Sequence, residues 1–217
     1  MSGSDSQRVS SAGPQAEDER EGMATSEDVV QSPERTAEFG HAVLSRLPLA
    51  PPLVVQLIVR DRDGSVIPIP GELPFLVAHL ALLSENGAHY LDVPPDDSQR
   101  PIPLAQRLLY GTLASSPHPL QDQHGNPGIY FIFPDVSVRH CGRYRLRVSL
   151  LRISRPDSNL VMEAGTGTAI VSTRTRIFEV VPQAEYVAPA TTSLTQSFHR
   201  QGARMYTPPS STPSARR

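Results

Sequence analysis

The most regular alternation of apolar and polar positions in this chain runs from Arg143 to Ile153. Every second position from Tyr144 to Leu150 is apolar, and the positions that alternate with them are three arginines and a serine. The arginines are Arg143, Arg145 and Arg147. Successive side chains of a strand point to opposite faces of a sheet. The pattern therefore predicts a long strand with an apolar face and a row of guanidinium groups on the other face.

Apolar runs elsewhere in the chain predict further strands. Leu53–Arg60 is apolar on nearly both faces, which indicates a central strand. Ile129–Phe133 is a short aromatic and β-branched run, typical of a buried strand. Leu73–Leu83 carries leucines at helical spacing, but Pro74 and the turn after this run favour a strand. Further strands are predicted at Val136–Arg139, in the second half of Leu104–Ser115, at Leu160–Glu163 and at Thr168–Val181.

Turns and one short helix complete the expected fold. Asp61–Gly64 predicts a hairpin turn, because glycine adopts a positive φ easily and aspartate bonds its own backbone. Ser116–Gly128 is interpreted as a long loop, and Thr192 or Ser193 can cap a helix that Gly202 ends. About seven or eight short strands without β–α alternation predict a mainly β fold. We expect an antiparallel β-sandwich or barrel with a short C-terminal helix.

Composition limits the folded part of this 217-residue chain. Only 38% of the residues are hydrophobic and 22 are prolines, which is typical of a folded centre with disordered ends. Residues 1–28 are polar and acidic with almost no large apolar side chain, so they are predicted to be a disordered N-terminal tail. The folded domain is predicted at residues 29–206. A second disordered tail, rich in proline and serine, is predicted at 207–217.

Residue types that support catalysis or metal binding form no recognisable site in the sequence. The single cysteine, Cys141, excludes an internal disulfide and a zinc site built from cysteines of one chain. No nucleophile-elbow motif and no phosphate-binding lysine is present, and His79 is interpreted as a core histidine. The sequence therefore predicts a protein that is not an enzyme and has no cofactor or small-molecule substrate. No apolar run reaches membrane-spanning length.

Charge is spread unevenly, although the formal net charge is only −2. Residues 137–217 hold twelve arginines against four acidic residues, which gives this part a net charge of +8. All twenty cationic side chains are arginine, whose planar fork suits phosphate and carboxylate groups. The asymmetry indicates an acidic partner for the basic part of the chain. A composition bias in the coding DNA is an equally good explanation of the missing lysines.

Several sequence blocks resemble the fungal velvet domain. Residues 51–57, Pro-Pro-Leu-Val-Val-Gln-Leu, resemble the Pro-Pro-x-Val-x-Gln-Leu entry of that family. Residues 109–139, with Gly-Ile-Tyr-Phe-Ile-Phe-Pro-Asp-Val-Ser-Val-Arg at their end, are similar to its central block, and 142–147 continue it. Phe178 resembles the aromatic residue of its last strand, and Leu194–Met205 its closing helix. The resemblance extends over about residues 29–206.

The resemblance implies a fold and a function. Velvet proteins are fungal regulators of development, sporulation and secondary metabolism, with an antiparallel β-sandwich similar to the immunoglobulin-like DNA-binding fold of Rel/NF-kappaB factors. The family implies homodimers or heterodimers with other velvet proteins, binding to promoter DNA, and a nuclear role. The basic pair at the C-terminal end, Arg216-Arg217, is too short for a localisation signal. We therefore expect nuclear and cytoplasmic populations, with nuclear entry that depends on a partner.

Arginines are the candidate DNA contacts. Velvet members that bind DNA carry a basic cluster before the Pro-Pro entry, but residues 41–48 of this chain contain only one firm cation, Arg46. Arg139 has the same parity as the alternating arginines, so all four can share a face. We expect phosphate contacts from Arg46, Arg139, Arg143, Arg145 and Arg147, extended by Arg174 and Arg176 from another strand. The alternatives are a solvated face whose arginines pair with carboxylates, and an interaction subunit whose partner supplies the DNA contacts.

Overall fold

Strands dominate the computed structural model, which describes residues 24–92, 107–153 and 169–206. The strands are β1 (Ala24–Gln31), β2 (Arg35–Ala37), β3 (Leu53–Arg60), β4 (Leu76–Ser84), β5 (Leu109–Tyr110), β6 (Ala114–Ser115), β7 (His118–Gln121), β8 (Pro127–Phe133), β9 (Ser137–Val138), β10 (Gly142–Arg152), β11 (Ala169–Arg174) and β12 (Phe178–Val181). The helix α1 spans Ser193–Arg200. Single 3-10 turns lie at Val43–Ser45, Leu73–Phe75 and Gln183–Glu185.

The strands form two sheets that face each other. The first sheet has the order β1-β3-β8-β7, and the second has the order β2-β12-β10-β4-β6 with β11 also paired to β10. The short pair β5-β9 stands beside them. Neighbouring strands are antiparallel except for β2 and β12, which are parallel. The predicted mainly β, antiparallel sandwich is therefore confirmed.

Alternating side chains of both sheets fill the space between them. Leu146, Val148 and Leu150 of β10 are fully buried, as the alternation in the sequence predicts. They pack in one cluster with inward residues of the first sheet, including Phe131 and Phe133. Burying each of these large side chains contributes roughly 1.5–3 kcal/mol before conformational entropy is counted. Because the apolar side of β10 faces inward, its arginines must point out of the sandwich.

Helix α1 covers the outer face of the first sheet. Leu194 and Phe198 pack on Val54, Tyr130 and Ile132, and the ring centroids of Phe198 and Tyr130 are 4.7 Å apart. The predicted cap is confirmed: the Thr192 hydroxyl accepts the N–H of Thr195 at 3.1 Å. Gly202 has a φ of 88° and ends the helix as predicted. Of the two large sheet faces that point outward, the second sheet's face is thus the one that α1 leaves uncovered.

Four expectations from the sequence need correction or lie outside the described residues. The folded part begins at least at Ala24, because β1 pairs along β3, so the boundary predicted after residue 28 is too late. The predicted 116–128 loop contains β7 and a hairpin turn at 122–126. His79 is an exposed residue on the outer face and not a core histidine. The strand predicted at 160–163 and both predicted disordered tails, apart from residues 24–28, lie outside the described residues.

Candidate nucleic-acid interface

The seven candidate arginines separate into three places in the structure. Four of them lie on the outer face of the second sheet, two lie around the ring of Tyr110, and one lines a cavity near the start of α1. The four on the sheet, Arg143, Arg145, Arg147 and Arg174, are called the arginine ridge below. The sequence grouped Arg139 and Arg176 with them, and the structure does not.

Backbone register fixes the arginine ridge. Arg145 and Arg147 of β10 stand opposite Leu83 and Ala81 of β4, and they point outward because the residues between them are buried in the core. On the other side of β10, Arg147 stands directly opposite Arg174 of β11. Directly opposite residues of an antiparallel pair have Cβ atoms about 5 Å apart. The ridge therefore places cationic side chains next to one another both along a strand and across two strands.

One end of the ridge is electrically balanced. Arg143 forms a salt bridge with Glu85, with 2.7 Å between Nη1 and Oε1. Its cross-strand neighbour Glu179 pairs with Arg35 at 2.5 Å. These side chains are about half exposed, and ion pairs of this kind contribute little to stability. The expectation of a solvated face with paired charges is thus correct for Arg143, which has little net charge to offer a ligand.

The other end of the ridge has no carboxylate partner among the described residues. Arg145 donates from Nε to the Glu85 carbonyl oxygen at 2.9 Å and from Nη1 to that of Thr175 at 3.0 Å. Arg147 donates to the Ser172 hydroxyl at 2.9 Å and to the Tyr90 hydroxyl. Neutral oxygens hold these guanidinium groups in place without cancelling their charge. Arg145, Arg147 and Arg174 are called the open end of the ridge below, and together they attract anions.

A tight turn brings backbone close to the open end. Gly87 ends the β4 hairpin with a φ of 73°, in the left-handed region that favours glycine. A Cβ at this position would lie 3.4 Å from Nη1 of Arg174 and 3.7 Å from Cδ of Arg145. The glycine therefore lets the turn pass beside two arginine side chains while they stay extended over the sheet.

Arg139 is buried, and the prediction that it shares the ridge is wrong. Its guanidinium carbon lies 5.0 Å from the Phe39 ring centroid and 5.1 Å from that of Tyr110. It donates to the carbonyl oxygens of Gly40 at 2.6 Å and Arg107 at 2.9 Å, and to the Tyr110 hydroxyl at 2.7 Å. Only 6% of the residue is exposed. Phe39, Tyr110 and Arg139 are called the aromatic clasp below, and they join the segment before β3 to strand β5.

Arg46 and Arg176 also lie away from the ridge. The Arg46 guanidinium carbon is 5.6 Å from the Tyr110 ring centroid, so this half-buried side chain stacks on the aromatic clasp. Arg176 is exposed and lines a cavity of about 330 Å³ with Glu34 and Thr192 at the start of α1. It does not extend the ridge, whereas Arg174 does. DNA contact by either arginine stays a prediction.

Two tyrosines of these sites were missed by the sequence reasoning. The Tyr90 ring centroid lies 5.8 Å from the guanidinium carbon of Arg147, and its hydroxyl accepts from the same group. Tyr90 forms an isolated bridge with Leu83, a position that the predicted turn at 85–87 already implies. Tyr110 was part of the central block that carried the family resemblance, but its ring had no assigned partner. Aromatic residues near arginines were the available signal in both cases.

Metal binding and membrane insertion find no support in the described parts of the chain. No group of three or more His, Cys, Asp and Glu side chains is placed there to hold a metal ion. None of the helices described is long and apolar enough to span a membrane. The arrangement is therefore suited to binding an anionic surface through guanidinium groups.

Comparisons with known proteins agree with this architecture. The family model described as Velvet factor matches residues 91–207. The chain is 32% identical over 178 residues to "Sexual development regulator VELC" of Pyricularia oryzae, which covers 80% of this chain and 38% of that protein. It is 30% identical over 207 residues to "Spore development regulator VOSA" of the same organism, covering 88% and 37%. A Schizophyllum commune protein named as part of a velvet complex is 32% identical over 118 residues, covering 52% and 22%.

These matches decide the family and leave the whole-protein activity to be proposed. The chain spans less than two fifths of the length of each of these three relatives. The family model, in contrast, matches more than half of this chain. The resemblance described from the sequence is thereby confirmed. The chain belongs to the velvet family, a family of non-enzymatic regulatory proteins.

Proposed function

We propose that this chain is a velvet-type transcriptional regulator of fungal development, sporulation and secondary metabolism. It acts as a homodimer or as a heterodimer with another velvet protein, and it binds promoter DNA directly or through that partner. Support for a developmental role comes from the relatives named as regulators of sexual and spore development. Support for a velvet partner comes from the relatives whose names place them in a velvet complex.

The open end of the ridge is the observation that carries direct DNA binding. Its three guanidinium groups lie on an uncovered sheet face, and neutral oxygens hold two of them, so their charge remains available to phosphate. Arg145 and Arg147 are two residues apart on one strand, which separates their Cα atoms by about 7 Å. Arginine binds phosphate oxygens through two parallel N–H donors. A row of such groups fits a DNA backbone and supplies affinity that is independent of sequence.

Replacing Arg147 and Arg174 together by glutamine should weaken DNA binding and flatten its salt dependence. Each lost phosphate contact lowers the slope of log affinity against log salt by about 0.9 in magnitude, so the double variant should lose about 2. Fluorescence anisotropy with a labelled DNA duplex at several salt concentrations measures both quantities. The matched control is Arg143→Gln with Glu85→Gln, which removes a balanced pair from the same face without changing net charge. Equal slopes for the wild type and the Arg147/Arg174 variant would disprove a phosphate contact here.

The second candidate function is an interaction subunit whose partner supplies the DNA contacts. The observation in its favour is the position of Arg46, the one firm cation of residues 41–48, which stacks on the Tyr110 ring. Co-purification with other velvet proteins of the same organism, followed by DNA titrations with and without the partner, separates the two candidates. If the second is correct, binding requires the partner, and the Arg147/Arg174 variant binds as the wild type does.

Nuclear entry is proposed to depend on a velvet partner. The basic pair at the C-terminal end, Arg216-Arg217, is too short to form a localisation signal of its own. The chain fused to two fluorescent proteins and produced alone should therefore remain largely cytoplasmic, and co-production with a velvet partner should shift it into the nucleus. Fluorescence microscopy of the two strains measures the ratio of nuclear to cytoplasmic signal. Strong nuclear accumulation of the chain produced alone would contradict the proposal.

A further inference from the structure

A groove of about 800 Å³ lies beside helix α1, away from the arginine ridge. The segment at the end of α1 and after it forms one wall and carries His199 and Arg204, while the β6–β7 connection forms the other wall and carries Ser116 and His118. Ile132 of β8 contributes to the floor. None of the arginines of the ridge lines this groove, so it has no part in the proposed DNA contact.

Ser116 presents a free hydroxyl at the rim of this groove. The residue is exposed, and its hydroxyl forms no hydrogen bond with any described residue. Its backbone is nevertheless held in place, because the Ser115 hydroxyl accepts the N–H of Ile132 at 3.0 Å and donates to the Ser116 carbonyl oxygen at 3.2 Å. Pro117 follows directly and lies between strands β6 and β7, outside the sheet ladder.

The same dipeptide occurs a second time in an inaccessible place. Ser32 precedes Pro33, but only 6% of Ser32 is exposed, and Pro33 is buried too. The next two N–H groups both donate to the Ala50 carbonyl oxygen, at 3.0 and 3.1 Å, which fixes this segment against the chain. A kinase must bind its target in an extended form, so the structure makes Ser116-Pro117 available and Ser32-Pro33 unavailable.

The wall opposite Ser116 is cationic and rigid. Gln201 accepts the Gln121 N–H at 2.8 Å and donates to the Gln121 carbonyl oxygen at 2.7 Å, which fixes the end of α1 on β7. Met205 is buried directly after Arg204, so the arginine backbone is held at both ends. Asp135, the acidic side chain that lines the groove among the described residues, already accepts the Thr112 N–H at 2.7 Å.

We propose that Ser116 is a phosphorylation site for a proline-directed kinase, and that Arg204 and His199 hold the phosphate across the groove. The kinase transfers the γ-phosphoryl group of ATP: the bond from γ-phosphorus to the bridging oxygen breaks, a bond from Ser116 Oγ to phosphorus forms, ADP leaves, and the hydroxyl proton passes to the kinase base. The phosphate adds about 1.5–2 negative charges beside an arginine and two histidines. It thereby joins the segment after α1 to the β6–β7 connection.

Phosphorylation of the full chain by a purified mitogen-activated protein kinase tests the site. Thr207→Val and Thr212→Val remove the two Thr-Pro acceptors near the C-terminal end. Mass spectrometry should find Ser116 modified at least about a hundredfold faster than Ser32, which reacts only when the segment opens. Unfolded peptides that contain each dipeptide serve as controls for kinase preference. The site is disproved if folded Ser116 reacts no faster than Ser32, or if its peptide is not a substrate.

Phosphorus NMR of the phosphorylated chain tests the cationic wall. A free phosphoserine has its second pKa near about 6. Contact with Arg204 and His199 should lower that pKa measurably, and Arg204→Gln should return it towards the free value. Arg200→Gln is the matched control, because Arg200 is an exposed residue of the same helix that does not line the groove. A second pKa that is unchanged from the free value, or that responds equally to both substitutions, would show that the wall does not hold the phosphate.

Discussion

Replacing Arg139 by alanine should lower the free energy of unfolding by about 4 kcal/mol, a large share of the total stability of an ordinary domain. The change removes three hydrogen bonds and leaves the carbonyl oxygens of Gly40 and Arg107 without their donor. Each buried group that loses its partner costs about 1–3 kcal/mol. The loss of the guanidinium between the rings of Phe39 and Tyr110 adds about 0.5–2 kcal/mol.

Chemical denaturation of matched variants measures this effect. Arg139→Lys keeps the charge but loses the planar fork, so it should recover part of the loss and no more. Arg143→Ala removes an exposed arginine from a neighbouring position of the chain and should cost less than about 1 kcal/mol. If Arg139→Ala and Arg143→Ala destabilise the chain equally, then the aromatic clasp does not hold the segment before β3.

Replacing Glu27 by glutamine should remove a strong pH dependence of stability. Glu27 of β1 stands opposite Leu57 of β3 and therefore points to the same side as that core residue. Only 5% of Glu27 is exposed, and neither carboxylate oxygen has a hydrogen-bond partner. Burial disfavours the charged form and raises the pKa of this carboxyl to about 7.

The sign of the effect follows from the proton bound in each state. Between about pH 4.5 and pH 7 the folded chain holds a proton on Glu27 that the unfolded chain has released. The stabilising contribution of the neutral carboxyl is thus fully present below pH 4.5 and is lost as pH rises through about 7. The wild type should lose about 3 kcal/mol relative to Glu27→Gln between about pH 4.5 and about pH 8.

Denaturant titrations at about pH 5, 6, 7 and 8 measure that difference. Asp28→Asn is the matched control, because Asp28 is the next residue of the same strand and points to the opposite face. Its stability relative to the wild type should change little over the same range. A parallel pH profile for the wild type and Glu27→Gln would mean that Glu27 reaches solvent in the folded chain.

The sequence predicted the parts of the fold that depend on local periodicity. Strand β3 has the bounds that its apolar run implied, and the inward residues of β10 are those of the alternating pattern. Helix α1 has the predicted cap because Thr192 and Gly202 act through backbone geometry within a few residues. In each case the determining interactions are close in sequence, or the burial of one whole face is enough.

The errors arose where distant partners decide the structure. Arg139 has the parity of the ridge, but the chain leaves β9 after Val138 and turns before β10, so parity does not carry across. Strand β1 looked like a polar tail because it is an edge strand whose pairing with β3 is non-local. Strand β7 contains Pro119, which is tolerated on an edge strand and is typical of a loop in the sequence.

The candidate site shows the same limit. The alternation predicted that Arg143, Arg145 and Arg147 lie on one outward face, and the structure agrees. It contained no information on which of them would be neutralised, because Glu85 reaches Arg143 from a different hairpin. The choice between Arg174 and Arg176 as the extension depends on the β10–β11 register, which the sequence did not specify.

The direct opposition of Arg147 and Arg174 has a consequence for symmetric assembly. In a two-fold symmetric dimer, the same surface patch of both copies is in contact. A symmetry axis through the centre of this face would set the three guanidinium groups of the open end against their own image in one interface. Like charges brought together in this way cost several kcal/mol. Self-association centred on this face is therefore disfavoured, which leaves the face to a partner of opposite charge.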